Sequence, residues 1–399
     1  MQDSKAAAPL DGLAVVELGH SVAAPYAGQI LADLGATVVK VENPDGGDDA
    51  RLWGPPFWHG SSAVFQTLNR NKYSATFNIK DEKDRAALRE LVRGADVVIQ
   101  NMRPGLVERY GLDAKELRKD NTRLIYCNLA AFGATGPLQH STGYDPLIQA
   151  FSGIMSVTGE AGRGPVRVGP SIIDMGAGLW CVIGIMAALV RRQQNGEGAT
   201  VDTSLYETGL AWMNIPLANC ISAGRDPGKS GSETPMLVPY RAFQASDRHI
   251  VIAAGNDNLF RKLAGLLGHP QWADDTRFKT NEQRVINRVA LNELIGGFIA
   301  QQPSQYWMDQ LNELGVPCAP VQSASEVIAH PQTHALGMLQ PTPDDKMVLV
   351  GTPLSFDGVR PDIRHAAPEL GADTQRAAKL LRDGDAEKDS HPAQRQTKL

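Results

Sequence analysis

Short apolar runs alternate with helical patterns through the first 130 residues. The runs suit buried strands, whereas the segments between them carry apolar residues at helical spacing. Strands that alternate with helices indicate a parallel sheet, so the sequence predicts an α/β fold. The predicted strands cover residues 13–18, 36–41, 96–100 and 124–129, and the predicted helices cover residues 25–34 and 84–94.

A segment rich in glycine, proline and serine divides the rest of the chain. Residues 224–235, GRDPGKSGSETP, have the composition of a linker and are the best candidate for a domain boundary. A long, mostly helical region over residues 174–222 precedes this segment. The patterns after it predict strands around a turn at residues 241–254, helices at 258–267, 287–301 and 303–314, and a late strand at 348–356.

Charge and cysteine content exclude several classes of protein. The chain has 39 basic and 44 acidic residues, a net charge of −5, so we expect no binding of nucleic acid through bulk charge. Its four cysteines are scattered without a CxxC pair, which favours a reducing, cytoplasmic location. The apolar run at residues 175–190 is shorter than the roughly 20 residues that span a bilayer, so we expect a buried helix and no membrane partner.

Two glycine-bearing turns fail to match nucleotide-binding motifs. Residues 224–230 have one residue too few between their glycines for a phosphate-binding loop, and residues 19–24 lack the GxGxxG spacing of NAD enzymes. Only His330 and His334 stand four residues apart, and Pro331 disfavours a helix at the first of them. The sequence therefore predicts neither a metal site nor a permanently bound cofactor.

Asp174 is the most informative acid, because it opens an otherwise apolar helix in the segment VGPSIIDMGAG. One interpretation is a helix N-cap, in which the carboxylate satisfies free backbone N–H groups and the helix dipole. The other is a nucleophile beside glycines that let a ligand approach, with nearby N–H groups that stabilise an oxyanion. Spacing alone leaves both interpretations open.

Segments distributed over residues 9–371 resemble the class III CoA-transferases, the CaiB/BaiF family that includes formyl-CoA transferase. They occur in the family's order and include PLDGLAVVELG, LADLGATVVKVENPDGGDDAR, NMRPGLVERYGL, GYDPLIQAFSG, VRVGPSIIDMGAGL and LGVPCAPV. Within this family, the segments GDDARLWGPPF, NRNK, NIKD, VPYRAF and AAGNDN resemble the succinate–hydroxymethylglutarate (glutarate) CoA-transferases. The resemblance implies that Asp174 is the catalytic nucleophile.

The resemblance also implies an architecture and an assembly. It implies a Rossmann-like large CoA-binding domain at residues 1–224, a linker at 225–235 and a smaller α/β domain at 236–325. A linker and C-terminal segment at residues 326–399 would return to the large domain. Two such subunits would form an interlocked homodimer.

Family segments that contact CoA, here a substrate, align with this chain without gaps. The matching positions are Ser21, Val22, Ala23, Asn43, Phe77, Lys80, Asn101, Met102, Arg103, Arg109, Thr142, Tyr144 and Asp145. By charge, Lys80 and Arg109 suit phosphate groups. Two positions depart from formyl-CoA transferase, since Asn43 replaces an arginine and Thr142 replaces a lysine.

The implied reaction moves CoA from an acyl-CoA, with succinyl-CoA expected, to a short dicarboxylate such as glutarate. It would pass through an aspartyl anhydride and an enzyme–CoA thioester. The distal carboxylate of such an acid needs a cation in a partly closed pocket, because burying it unpaired is costly. The candidates are Arg51, Arg70 and, third, Arg167.

Two alternatives stand beside this interpretation. An acyl-CoA racemase of the same superfamily would carry a histidine base where this chain has Tyr144, which counts against proton abstraction. A non-catalytic CoA-binding protein on the same fold would not need Asp174 in an intact GPSIIDMGAG segment.

Overall fold

A computed structural model describes residues 8–383. The strands are β1 Ala14–Leu18, β2 Thr37–Glu42, β3 Phe57–Trp58, β4 Ser61–Ser62, β5 Tyr73–Thr76, β6 Val97–Gln100, β7 Ile125–Ala130, β8 Thr200–Ser204, β9 Tyr240–Gln244, β10 His249–Ala253, β11 Cys318–Pro320, β12 Leu339–Pro341 and β13 Val348–Val350. The first ten helices are α1 Ala23–Asp33, α2 Ala63–Asn69, α3 Glu82–Arg93, α4 Leu106–Arg109, α5 Ala114–Asp120, α6 Asp145–Phe151, α7 Ile154–Val157, α8 Ile172–Asn195, α9 Leu205–Trp212 and α10 Asn214–Ala223. The remaining helices are α11 Asp257–Leu266, α12 Asn281–Ile286, α13 Arg288–Ile299, α14 Ser304–Glu313, α15 Ala324–Ala329, α16 Pro331–Ala335 and α17 Ala377–Asp383.

Six parallel strands form the central sheet, in the order β5-β2-β1-β6-β7-β8. This is the strand order 3-2-1-4-5-6 of doubly wound dinucleotide-binding folds. The predicted α/β class and the predicted strands β1, β2, β6 and β7 are therefore confirmed. Strand β8 was not predicted, and it interrupts the region predicted to be mostly helical. Its sequence, TVDTS, is polar and lies at the edge of the sheet, so it lacks the apolar run of the inner strands.

Two compact units make up the described chain. The first contains residues 8–154, 167–217 and 331–383, and the second contains residues 155–166 and 218–330. The second unit has an antiparallel sheet in the order β11-β10-β9, and its core includes Phe243, Ile250 and Phe260. The predicted division into folding domains around residues 225–235 stays a prediction.

The outer edge of β5 is covered by the C-terminal part of the first unit. Ser74 donates its backbone N–H to Asp373 Oδ2 at 2.9 Å, and Asp373 donates its own N–H to the Ser74 carbonyl at 2.8 Å. Thr76 N–H donates to Thr374 Oγ1 at 3.0 Å. These bonds satisfy backbone groups that an edge strand would otherwise leave open.

Helix α8 is the longest helix of residues 8–383. By length and composition it is the one described helix that could cross a membrane, a test that buried core helices also pass. One side, spaced every four residues, is fully buried and packs in the first unit with α1 and β7, and it consists of Ile173, Ala177, Cys181 and Ile185. Another side leaves Leu179, Trp180 and Ile183 between 40% and 55% exposed.

Candidate active site

The carboxyl edge of the central sheet collects most of the predicted CoA-binding positions. The chain moves outward from β1 to β2 and β5 on one side and from β6 to β7 and β8 on the other, so the order reverses between β1 and β6. Ligands of open α/β sheets bind in the crevice at such a reversal. The predicted positions that follow the carboxyl ends of β1, β2, β5 and β6 are Ser21, Val22, Ala23, Asn43, Phe77, Lys80, Asn101, Met102 and Arg103.

These positions differ in how accessible they are. Val22 and Ala23 are buried at the start of α1, while Phe77 and Met102 pack partly against the core. The exposed positions are Asn43, Lys80, Arg103, Arg109, Thr142 and Tyr144. The three exposed cations among them are therefore accessible to a phosphorylated ligand.

The turn between β1 and α1 is held by side chains on both sides. Asn101, directly after β6, accepts a hydrogen bond from His20 N–H at 3.0 Å and donates one to the His20 carbonyl at 2.9 Å. Ser21 has a φ of 70°, a left-handed conformation that is uncommon for serine. Its N–H donates to Asp48 Oδ1 at 3.0 Å. Burial lowers the pKa of His20.

A buried ion cluster lies directly behind this turn. Glu17 of β1 and Lys40 of β2 stand opposite each other in the sheet register, both fully buried, with Lys40 Nζ 3.0 Å from Glu17 Oε1. Lys40 Nζ also lies 2.9 Å from Asp48 Oδ2 and donates to the Gly19 carbonyl at 2.7 Å. Lys72 Nζ lies 2.7 Å from Glu17 Oε2. This cluster was not predicted from the sequence, although charged residues inside apolar strands are a visible signal.

The cluster favours the charged forms of Lys40 and Asp48. Burial alone would lower the pKa of Lys40, but Glu17, Asp48 and Glu42 outweigh it and raise that pKa above its ordinary value. Burial alone would raise the pKa of Asp48, but the charge of Lys40 and the backbone N–H donors outweigh burial, so this pKa is lowered. Burial lowers the pKa of Lys72 to about 8 against the attraction of Glu17.

Asp174 lies in the first turn of α8 but does not cap that helix. Asp145, buried at the start of α6, accepts hydrogen bonds at its Oδ2 from Ile173 N–H at 2.8 Å and Asp174 N–H at 3.2 Å. Asp145 Oδ1 accepts a third bond from Gln149 Nε2 at 2.6 Å. The N-cap interpretation of Asp174 is therefore wrong, and Asp145 supplies the cap.

The half-buried carboxylate of Asp174 accepts no hydrogen bond from any described residue. Burial, followed by the nearby charge of Asp145, raises the pKa of Asp174 to about 7. The Asp174 carboxylate therefore binds a proton more tightly than an ordinary aspartate does, and its oxygens take no part in the hydrogen bonds of the described fold. Carboxylates of this kind are suited to nucleophilic catalysis.

Two parts of the sequence-based picture of α8 need correction. Its early N–H groups are not free for an oxyanion, since Ile173 and Asp174 donate to Asp145 and Met175 donates to the Ser171 carbonyl at 2.9 Å. The glycines after Asp174 serve packing instead of ligand access. A Cβ on Gly178 would lie 2.7 Å from the Ala23 carbonyl oxygen, so the glycine lets α8 approach the start of α1.

The three candidate arginines occupy different environments. Arg51 makes a bidentate bond to Glu42, with both distances 2.8 Å, and Arg70 is 1% exposed in an ion pair with Asp33 at 2.7 Å. Both guanidinium groups thus pair with carboxylates of the protein, and their assignment to substrate stays a prediction. Arg167 is exposed and donates to the Gly169 carbonyl at 2.7 Å, in the segment that leads to α8.

The first unit thus combines a doubly wound parallel sheet with a core helix that begins beside a carboxylate to which no described residue donates a hydrogen bond. The family model of CoA-transferase family III matches residues 10–374, and the chain belongs to this family. It is a class III CoA-transferase, as the sequence predicted. Among the described residues, no three His, Cys, Asp or Glu side chains cluster as a metal site requires.

Relatives and solved structures of this family cover nearly the whole chain. An acetyl-CoA:oxalate CoA-transferase of Acetobacter aceti is 40% identical over 94% of this chain and 96% of its own length. A succinate–glutarate CoA-transferase of Agrobacterium fabrum is 37% identical over 91% of this chain and 93% of its own length. The crystal structure of a CaiB/BaiF family protein from Brucella suis has a TM-score of 0.84 at 39% identity, over 94% of this chain and 99% of that chain.

Proposed function

We propose that this enzyme transfers CoA from succinyl-CoA to a short dicarboxylic acid, such as glutarate, with Asp174 as the covalent nucleophile. The main support for this proposal is that the two aspartates at the start of α8, Asp145 and Asp174, have different roles. Asp145 caps the helix, so the Asp174 carboxylate is left without a hydrogen bond in the described chain and with a raised pKa.

The proposed reaction has four balanced steps. A carboxylate oxygen of Asp174 attacks the thioester carbon of the donor, and the C–S bond breaks to give an aspartyl anhydride and CoA thiolate. The thiolate attacks the aspartyl carbonyl, which releases the donor acid and forms an enzyme–CoA thioester. The acceptor carboxylate attacks this thioester, forming a second anhydride, and the freed thiolate takes the acceptor acyl group and regenerates Asp174. Covalent capture conserves the activation of the thioester.

The carboxyl edge of the sheet is the proposed CoA site. Val22, the N-cap of α1, makes no side-chain cap bond, so the positive end of this helix is left for an anionic or polar group of the substrate. Lys80, Arg103 and Arg109 are exposed cations that suit the phosphate groups of CoA. CoA enters this scheme as a substrate, and no permanently bound cofactor is proposed.

Both named relatives have dicarboxylic acids, oxalate and glutarate, as acceptors in their names, which supports a dicarboxylate acceptor here. Of the three candidate arginines, Arg167 remains for the distal carboxylate, because Arg51 and Arg70 already pair with acids of the protein. An arginine with this role discriminates a diacid from a monoacid of similar length, since the monoacid leaves the cation unpaired.

The test measures transfer from succinyl-CoA and from acetyl-CoA to glutarate, oxalate and butyrate. We expect succinyl-CoA and glutarate to be used, with specificity for glutarate over butyrate of about a hundredfold or more. Arg167→Gln should narrow that gap, whereas Arg163→Gln, an exposed arginine four residues earlier, should not. A parent enzyme that prefers butyrate would overturn the diacid assignment, and an unchanged gap in Arg167→Gln would overturn the role of that arginine.

Trapping the intermediate tests the chemistry separately. Hydroxylamine added during turnover should convert Asp174 to a hydroxamate, because it intercepts both the anhydride and the thioester. Mass spectrometry of the digested enzyme would locate the adduct. Turnover without any modification of Asp174, or with modification at another acid, would contradict the covalent mechanism.

We also propose that two copies form the interlocked homodimer of the family in the cytosol. Exposed apolar side chains on two neighbouring helices support a partner, namely Leu147 and Phe151 on α6 and Leu179, Trp180 and Ile183 on α8. All four cysteines are free thiols, which suits a reducing compartment. A monomer in light scattering at micromolar protein would contradict the dimer, and dissociation on dilution would contradict interlocking.

A further inference from the structure

The turn between β1 and α1 has most of its polar backbone groups bound by side chains of the protein. Lys40 binds the Gly19 carbonyl, Asn101 binds both backbone groups of His20, and Asp48 binds Ser21 N–H. Four consecutive polar groups of one short turn are thus fixed from the β2 side and from the β6 side. The turn is therefore shaped by the protein before any substrate is present.

The Lys40–Asp48 pair is a costly way to hold a turn. Both side chains are fully buried, and an ion pair buried this deeply often adds no stability over a well-packed apolar pair. Asp48 also accepts a bond from Ala50 N–H at 3.0 Å and donates its own N–H to Glu42 Oε2 at 3.0 Å. The pair fixes the conformation of the turn, because Lys40 binds the Gly19 carbonyl at one end and Asp48 binds Ser21 N–H at the other.

We propose that Asp48 and Lys40 are positioning residues, which keep this turn in its CoA-binding conformation. The inference rests on the proposed function, since it assumes that the turn contacts CoA. Ser21 stays in a left-handed conformation because Asp48 accepts its N–H, and this fixes where the first turn of α1 begins. The same part of α1 lies against Gly178, one helical turn after Asp174. The pair thereby sets the spacing between the CoA-binding turn and the nucleophile helix.

The GDDAR segment, residues 47–51, gains a function through this proposal. Its second and fifth residues, Asp48 and Arg51, both bind inward to the sheet, where Arg51 pairs with Glu42. Its third residue, Asp49, is exposed and makes no side-chain hydrogen bond within residues 8–383. Two adjacent aspartates thus provide a test position and a matched control.

The experiment compares Asp48→Asn with Asp49→Asn, each of which removes one negative charge. The side-chain amide of Asp48→Asn can still accept from Ser21 N–H but loses the attraction for Lys40. We expect Asp48→Asn to raise the Kd for free CoA and the KM for succinyl-CoA about tenfold, the scale of one hydrogen bond to a charged group. Asp49→Asn should leave both constants near those of the parent. Thermal denaturation reports how much of each variant is folded.

Two outcomes separate this proposal from the proposed function. A parent enzyme that transfers CoA, alongside an equally active and equally CoA-binding Asp48→Asn, overturns the positioning role alone. A parent that neither binds CoA nor transfers it overturns the proposed function.

Hydrogen exchange of the parent keeps the proposal testable if Asp48→Asn fails to fold. The amides of His20 and Ser21, which are bound by Asn101 and Asp48, should be protected without CoA and should change little when CoA binds. Amides that exchange freely in the resting enzyme and become protected only with CoA would show that the substrate shapes the turn, which overturns the proposal.

Discussion

The turn before α1 is bound by the buried Asp48, and the start of α8 contains the half-buried Asp174. The two carboxylates differ in their hydrogen-bond partners and in the direction of their pKa shifts. Asp48 is bound by Lys40 and by the N–H groups of Ser21 and Ala50, and its pKa is lowered. Asp174 receives no hydrogen bond from the described residues, and its pKa is raised to about 7. Burial disfavours the charge at both positions, so the number of partners decides the outcome.

Asp48 thus has a structural role in the turn, whereas Asp174 is the acid that we propose as the nucleophile. The contribution of Asp48 to stability is present above its ordinary pKa and is lost as the pH falls toward its lower folded-state value. The contribution of Asp174 to stability changes with pH in the opposite direction, because the pKa of Asp174 is raised in the folded state. The folded state binds that proton more tightly than the unfolded chain, so ionisation of Asp174 costs stability as the pH rises.

The largest expected effect is the loss of CoA transfer when the proposed nucleophile, Asp174, is replaced. Asp174→Asn keeps the shape of the side chain but is a poor nucleophile, so transfer should fall by about a thousandfold or more. CoA binding should stay close to that of the parent, because no described residue relies on this carboxylate for a hydrogen bond. The thermal midpoint at pH 7 should not fall, because the variant no longer bears the cost of ionising Asp174. Asp49→Asn serves as the control. Near-parental transfer by the Asp174→Asn variant would end the nucleophile assignment.

A change in the buried cluster should act on stability first. Lys40→Met leaves Asp48 without its cation and Glu17 with only Lys72, and breaking a buried pair in this way costs about 3–5 kcal/mol. Chemical denaturation measures this loss. Lys83→Met, at an exposed lysine of α3, should stay within about 0.5 kcal/mol of the parent. Equal free energies of unfolding for the two variants would contradict this prediction, because they would show that Asp48 and Glu17 do not need the buried charge of Lys40.

The pH dependence of catalysis sharpens the comparison further. In the proposed mechanism only ionised Asp174 attacks the thioester, so kcat/KM for succinyl-CoA should rise with pH and level off above an apparent pKa near 7. Asp145→Asn should move this apparent pKa downward, because it removes the second cause of the shift while burial remains. A profile that is flat between pH 5 and pH 8 would contradict the raised pKa.

The smallest expected effect concerns the cap of α8. Asp145→Ala removes the acceptor of the Ile173 and Asp174 N–H groups and should lower the free energy of unfolding by about 0.5–2 kcal/mol. Asp145→Asn keeps an acceptor oxygen, so it should recover most of that loss. Identical destabilisation by the two substitutions would indicate that the negative charge, and not the hydrogen-bond acceptor, stabilises the start of the helix.

Strong periodicity made much of the fold predictable from the sequence. The inner strands β1, β2, β6 and β7 are apolar because helices or loops cover both faces of the sheet, and such runs are easily recognised. The edge strand β8 escaped because its polar residues alternate with partly buried ones instead of forming an apolar run. The other edge strand, β5, was not predicted either, so the two strands that the sequence did not reveal are the two edges of the sheet.

Segment order in the sequence was enough to propose a candidate site, but the pairing of its side chains could not be predicted. Asp174 was identified through the GPSIID segment, but its partner Asp145 is 29 residues away in the chain and was assigned only to CoA. Arg51 and Arg70 were candidates for the distal carboxylate, and their pairing with Glu42 and Asp33 could not be predicted because tertiary contacts set it. Spacing in a sequence does not reveal which side chains meet across a fold.

The cover on strand β5 has a consequence for synthesis on the ribosome. Ser74 and its partner Asp373 are 299 residues apart, so the strand must wait for almost the whole chain before its edge is closed. At the usual pace of translation the delay lasts about 15–60 seconds. Throughout that interval the nascent sheet offers an open strand to other nascent chains, a template for aggregation. Messages that end early would leave this edge permanently bare, so products truncated before residue 371 should depend on chaperones and be degraded.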